Sequence, residues 1–209
     1  MKVAGIFLAA GRSNGARASE GSLNRAGAGS AGAAMLSELE TCGLAPLVVV
    51  VRADDPLSWL PPAGQGENMR RIETCLTAHL GLSFSLRCGL NAVASLRPDA
   101  VVIAAADQPF VAAAQIRRLI QVYEQHPELE YVTSAQEGLL MPPALFASSL
   151  FGGLQELDEE EGISAIMRTE EYKGIILPEE PVQPFAEAGP PESFGEFRRE
   201  WSMRGGNRQ

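Results

Sequence analysis

Three apolar runs of strand length dictate most of what this chain can become. Lys2–Ala9, Pro46–Arg52 and Asp99–Ala105 are almost uninterrupted in Val, Ile, Leu, Phe and Ala. A strand wetted on one side alternates apolar with polar residues, so a run without alternation belongs to a sheet covered on both faces. Segments of helical spacing lie between and after the runs. Met35–Cys42 places Met35, Leu36 and Leu39 on one stripe and stops at Gly43, a C-capping residue type. Ser85–Leu96 reads as a helix, and Ala112–Glu124 aligns Ile116, Leu119, Ile120 and Tyr123. Arg71–Ala78 alternates as a strand. The second half reads as strands over Tyr131–Ser134 and Tyr172–Leu177, and as helices over Pro143–Leu157, Ile163–Met167 and Pro191–Trp201. Strands alternating with helices predict an α/β fold of three layers, a mostly parallel central sheet with helices on both faces. No repeat or linker break interrupts the chain. We therefore expect one domain over 1–209, with about 178–209, rich in Pro, Gly and Glu, as an irregular extension of it.

Charge narrows the partners. The 209 residues carry 17 Lys+Arg against 26 Asp+Glu, a formal charge of −9. A protein that coats nucleic acid neutralises phosphates with an excess of Lys and Arg, so that class is excluded as an expectation. Binding a single nucleotide is not. Cys42, Cys75 and Cys88 are an odd number without paired spacing, which predicts free thiols in a reducing cytoplasm. The N-terminal apolar run breaks at Gly11-Arg12, well short of the roughly 20 residues of a membrane span. No membrane association is expected.

In open α/β sheets ligands bind beyond the C-terminal ends of the strands, where the strand order reverses. Three segments are expected there. Leu8-Ala9-Ala10-Gly11-Arg12-Ser13 leaves the first strand through small residues, whose backbone N–H groups can cradle phosphate oxygens or can simply form a strand-to-loop turn. Asp107-Gln108-Pro109 follows the third apolar run. Asp there suits a divalent metal bridged to phosphates, and equally a turn or N-cap. Gly81-Leu-Ser83-Phe-Ser85-Leu-Arg-Cys-Gly-Leu90 puts two hydroxyls at a predicted helix start, where capping is the alternative to ligand contact.

In this order the segments resemble the molybdenum-cofactor cytidylyltransferases, within the wider molybdopterin nucleotidyltransferases. That family opens L-A-A-G-x-S-x-R-M-G-x-x-K, carries G-x-S-x-S-L-x-x-G-L mid-chain and D-Q-P after a strand, and closes near D-x-D-T-P-E-D-F. Here Leu8–Ser13, Gly81–Leu90, Asp107–Pro109, Gly138 with Pro142–Phe146, and Pro191-Glu192-Ser193-Phe194 stand in those places. The resemblance implies a Rossmann-like fold of nucleotidyltransferase type. It implies a reaction in which a phosphate of molybdopterin attacks the α-phosphorus of CTP and expels pyrophosphate, in support of a molybdenum hydroxylase. Leu8, Ala9, Ala10, Gly11, Arg12, Ser13, Arg25, Ser83 and Ser85 would bind the nucleotide. Asp107 would be the catalytic metal ligand, with Glu187 a second ligand for Mg²⁺ or Mn²⁺. Ala10, where the guanylyl branch tends to have Gly, points to CTP.

Several positions depart from the pattern. Without a gap, the family's Arg, Met, Gly and Lys fall on Gly15, Ala16, Arg17 and Glu20, and the closing acids on Glu187 and Gly189. Glu20 substitutes repulsion for attraction at the triphosphate. Arg12, Arg17 and Arg25 are the cations nearest in sequence. Two alternatives follow: a catalytically silent relative that binds the cofactor or its target enzyme, and a sugar- or alcohol-phosphate nucleotidyltransferase on the same fold.

Overall fold

The computed structural model describes residues 1–11, 31–62, 70–106, 111–136, 139–158, 162–169 and 171–178. Met1–Leu177 forms one compact unit; of the second, Pro178–Gln209, only Pro178 is described. The predicted helix over Pro191–Trp201 therefore lies outside the described residues.

Within the first unit the apolar runs are strands: β1 Val3–Leu8, β2 Leu47–Arg52 and β4 Ala100–Ala105, with β3 Arg71–Cys75 between the last two in chain order. Every residue of β1 and β4 is buried, as runs without alternation require. β5 Tyr131–Gln136, β6 Leu139–Ala147 and β7 Gly174–Leu177 complete one sheet in the order β3-β2-β1-β4-β6-β5-β7. Only β6 runs against the others. The sheet is thus mostly parallel.

Alternate side chains feed two cores. Ala4, Ile6 and Leu8 of β1 join Val48, Val50, Val101 and Ile103 beneath α2 (Leu82–Ala94), α4 (Phe151–Glu156) and α5 (Ser164–Arg168). Val3, Phe7, Val49 and Val102 face α1 (Ala31–Glu40) and α3 (Ala113–Gln125). These are the three layers expected. On α3 the predicted stripe is buried at Ile116, Leu119 and Tyr123, with Ile120 half-buried beside it. Two short 3-10 turns, Ala78–Leu80 and Ser148–Leu150, precede α2 and α4.

The largest departure from the sequence reading is Pro143–Leu157. No helix begins at Pro143: residues through Ala147 belong to β6, and α4 starts only at Phe151. Two consecutive prolines lack N–H donors, and each bars the residue before it from the helical region. A strand between two neighbours also needs those donors, and β6 meets the need with a register shift. Thr133 pairs with Ala144 and Ala135 with Leu140, so the prolines fall in the bulge between paired residues. β4 pairs with β6 only as far as Ala144.

Boundaries elsewhere shift by less. α1 begins at Ala31 and ends at Glu40, because Ala33 extends the buried stripe ahead of Met35. β3 stops at Cys75 before the 3-10 turn. Gly43 has φ +73°, the left-handed geometry that glycine adopts without strain. Trp59 anchors the loop after β2, with its ring 6.3 Å from that of Phe7 and its Nε1–H donating to Asp55. His126 caps the C-terminus of α3 through its backbone N–H.

Candidate nucleotide site

The chain builds β1, β2 and β3 in one direction, then returns to lay β4 on the other side of β1. A reversal of this kind is where open α/β sheets hold their ligand crevice, here beyond the C-terminal ends of β1 and β4. Leu8 pairs with Ala105, and the next N–H groups still find strand partners: Ala106 donates to Leu8 O at 3.0 Å and Ala9 to Val50 O at 2.8 Å. The strands therefore run side by side to the lip of the crevice. Ala9 and Ala10 are buried on opposite faces of the sheet, and half-buried Gly11 is the last described residue of the turn. Arg12, Ser13 and Arg25 lie outside the described residues. So does Asp107, whose chain neighbour Ala106 holds the end of β4 against Leu8. Glu187, Gly15, Glu20 and Gly189 also lie outside them.

Ser83 and Ser85 are not cap residues. α2 begins at Leu82, its N-cap is Gly81 and no side chain caps it, so both serines sit inside the helix and are buried. Gly81 has φ +139°, which favours glycine at the entry. The Cys75 thiol at the C-terminal end of β3 donates to Phe84 O at 3.7 Å, which sets the start of α2 at the C-terminal edge of the sheet. Close approach is possible because Gly89 presents no side chain: a Cβ there would stand 2.6 Å from Ile6 Cγ2 and 3.1 Å from Val50 Cγ2. On the opposite layer α1 pins the first turn of α3, where Glu38 Oε2 accepts the Ala113 N–H at 2.7 Å.

A feature that our reading of the sequence missed is a cavity of about 240 Å³ lined by Arg52, Ala53, Asp54, Cys75, Leu76, Ala78 and His79. It opens at the C-terminal ends of β2 and β3, the same edge as the crevice. Arg52 and Cys75 are register partners, so parallel pairing of the two predicted strands was the signal that could have found it. Arg52 Nε donates to Asp54 Oδ1 at 2.9 Å, and that bond holds the Asp54 carboxyl below its ordinary range. All three cysteines are free thiols. Burial, followed by the neighbouring Cys75 and Glu73, pushes Cys88 up to about 11. The group therefore stays protonated at pH 8 and ionises only as the pH approaches 11. Peptide mapping after timed iodoacetamide treatment should find Cys88 alkylated far more slowly than free cysteine at pH 8, with the rate climbing between pH 9 and 11; full reactivity at pH 8 would contradict the shift.

Among the described residues no group of three or more His, Cys, Asp or Glu is arranged to hold a metal ion, and no helix is long and apolar enough to cross a membrane. A family model of the MobA-like NTP transferase domain matches residues 5–174, from β1 to the start of β7. The chain belongs to the MobA-like NTP transferase family. One relative, the purine catabolism protein PucB of Bacillus subtilis (strain 168), is 25% identical over 203 residues, covering 95% of this chain and 97% of its own. Among solved structures, the Rv0371c complex with manganese from Mycobacterium tuberculosis H37Rv superposes with a TM-score of 0.65 at 22% identity, over 95% of this chain and 97% of that one. A nucleotidyl transferase from Methanothermobacter thermautotroptrophicus gives 0.64 at 20% identity, over 86% and 88%. At these identities the solved structures establish the fold, an α/β sheet of nucleotidyltransferase type. The family is one of NTP transferases, so nucleotidyl transfer from a nucleoside triphosphate is the activity class it implies.

Proposed function

We propose that this chain transfers CMP from CTP to molybdopterin, releasing pyrophosphate, in the cytoplasm and in support of a molybdenum hydroxylase. A phosphate oxygen of the cofactor attacks the α-phosphorus, the bond to the β-phosphate breaks, and pyrophosphate leaves with the electron pair. The observation that carries the reading is that the Ala9-Ala10-Gly11 turn, the end of β4 two residues before Asp107, and the start of α2 all fall at the C-terminal edge of the sheet. Such a site contributes positioning and charge neutralisation. We assign the nucleotide to the turn with Arg12, Ser13 and Arg25, its further contacts to Ser83 and Ser85, and the divalent ion to Asp107 and Glu187. When bound, Mg²⁺ or Mn²⁺ neutralises phosphate oxygens. Manganese in the mycobacterial neighbour supports a divalent ion. Ala10 supports CTP over GTP.

Isothermal titration with CTP and with GTP, each with and without Mg²⁺, tests the first step. Micromolar, metal-dependent binding of CTP is expected, followed by pyrophosphate release when molybdopterin is added. No heat with either nucleotide from a folded sample would reject the enzyme reading. It would favour a silent relative that binds the cofactor or its target enzyme, the reading that Gly15, Glu20 and Gly189 motivate.

A further inference from the structure

β3 stands first in the sheet order. One of its edges pairs with β2, and no strand lies along the other among the described residues. Such an edge is a template for another chain. Cys75 packs into the core beneath α2, and alternate side chains share a face, so Arg71 and Glu73 lie on the α2 side while Ile72 and Thr74 lie on the other. Ile72 is 38% exposed and is the register partner of Val49, which is wholly buried. An apolar row thus runs from the core to the rim of the sheet and stops there in water.

We propose that the chain self-associates through β3, two copies pairing antiparallel about a two-fold axis at Ile72. In that register Arg71 stands opposite Glu73 of the second copy, twice by symmetry, and the two Ile72 side chains meet on the other face. The apolar row then continues from Val49 through both isoleucines to Val49 of the second copy. Moving the axis to Glu73 sets two carboxylates against each other, so the charges of the strand select one register and discourage pairing with unrelated edges. Antiparallel pairing sends the C-terminal edges of the two sheets in opposite directions. Five residues per strand make a small contact, so the dimer is concentration-dependent rather than permanent.

Sedimentation of the full chain over a range of concentrations tests this. A reversible monomer–dimer equilibrium is expected. Glu73→Arg, which sets Arg71 against arginine, should raise the dimer Kd about tenfold or more. The double exchange Arg71→Glu with Glu73→Arg should restore it, and Ile72→Lys should abolish it. Arg71 and Ile72 are exposed and Glu73 is half-buried, and unchanged thermal melting of each variant verifies the fold. Monomer at every concentration, a dimer indifferent to Glu73→Arg, or failure of the double exchange to restore association would each overturn the proposal.

Discussion

Replacing Asp107 with alanine should reduce pyrophosphate release from CTP by at least about a hundredfold, the scale seen when one preorganised charge-stabilising group is lost from a site. The residues of β4 are wholly apolar, and Ala106 still holds to Leu8, so the first polar side chain after the strand is Asp107. On the metal-ligand role proposed for it, loss of this carboxylate removes charge neutralisation at the phosphates. Thermal melting of the variant should match that of the parent protein. Full activity in Asp107→Ala would disprove the metal-ligand role while leaving the family assignment intact.

The second large effect concerns stability. Gly89→Val forces three carbons into a space where even a Cβ comes within 2.6 Å of Ile6 and 3.1 Å of Val50, both in the buried centre of the sheet. Overpacking of this kind costs about 3 kcal/mol, and a β-branched residue inside a helix adds to it. For a chain of this size that lowers the melting temperature by roughly 6–12 °C. Because α2 must lift from β1 and β2, CTP affinity should fall as well. Gly152→Ala is the matched control: a Cβ there meets nothing within 4 Å, and α4 should gain a few tenths of a kcal/mol to about 1 kcal/mol from the better helix former. Equal melting temperatures for Gly89→Val and the parent protein would show that α2 does not depend on this close approach.

The parts of the fold that were legible in the sequence are those in which one force dominates. β1, β2 and β4 are buried on both faces, and continuous apolar runs have few other destinations. α3 carries polar residues between its apolar ones, so its stripe marks its boundaries to within a residue. Pro143–Leu157 was misread because Phe146, Leu150, Leu154 and Leu157 satisfy a helical count. Two prolines overrule that count, and the bulge that seats them depends on β5, which local sequence does not report. Ser83 and Ser85 were read at a helix start, with capping as the alternative to nucleotide contact, and the structure removes that alternative. The cap is Gly81, chosen by the backbone angle at the entry to α2. Of the candidate site, the passage from β1 into the Ala9–Gly11 turn was readable, while Asp107-Gln108-Pro109 lies outside the described residues. The cavity beside Arg52 and Cys75 required strand neighbours to be paired first.

The central position of β1 also bears on how the chain is made. Its first residues are tied to a distant stretch: the Lys2 backbone N–H donates to Asp99 Oδ2, 97 positions along the chain. On a ribosome adding about 5–20 residues per second, some 5–20 s pass before β4 is synthesised at all. Throughout that interval one edge of the most apolar strand at the N-terminus has no neighbour, and β2 can cover only the other. The newborn chain is therefore a natural client for holding chaperones, and its yield in a cell should depend on their supply more than the stability of the finished sheet would indicate.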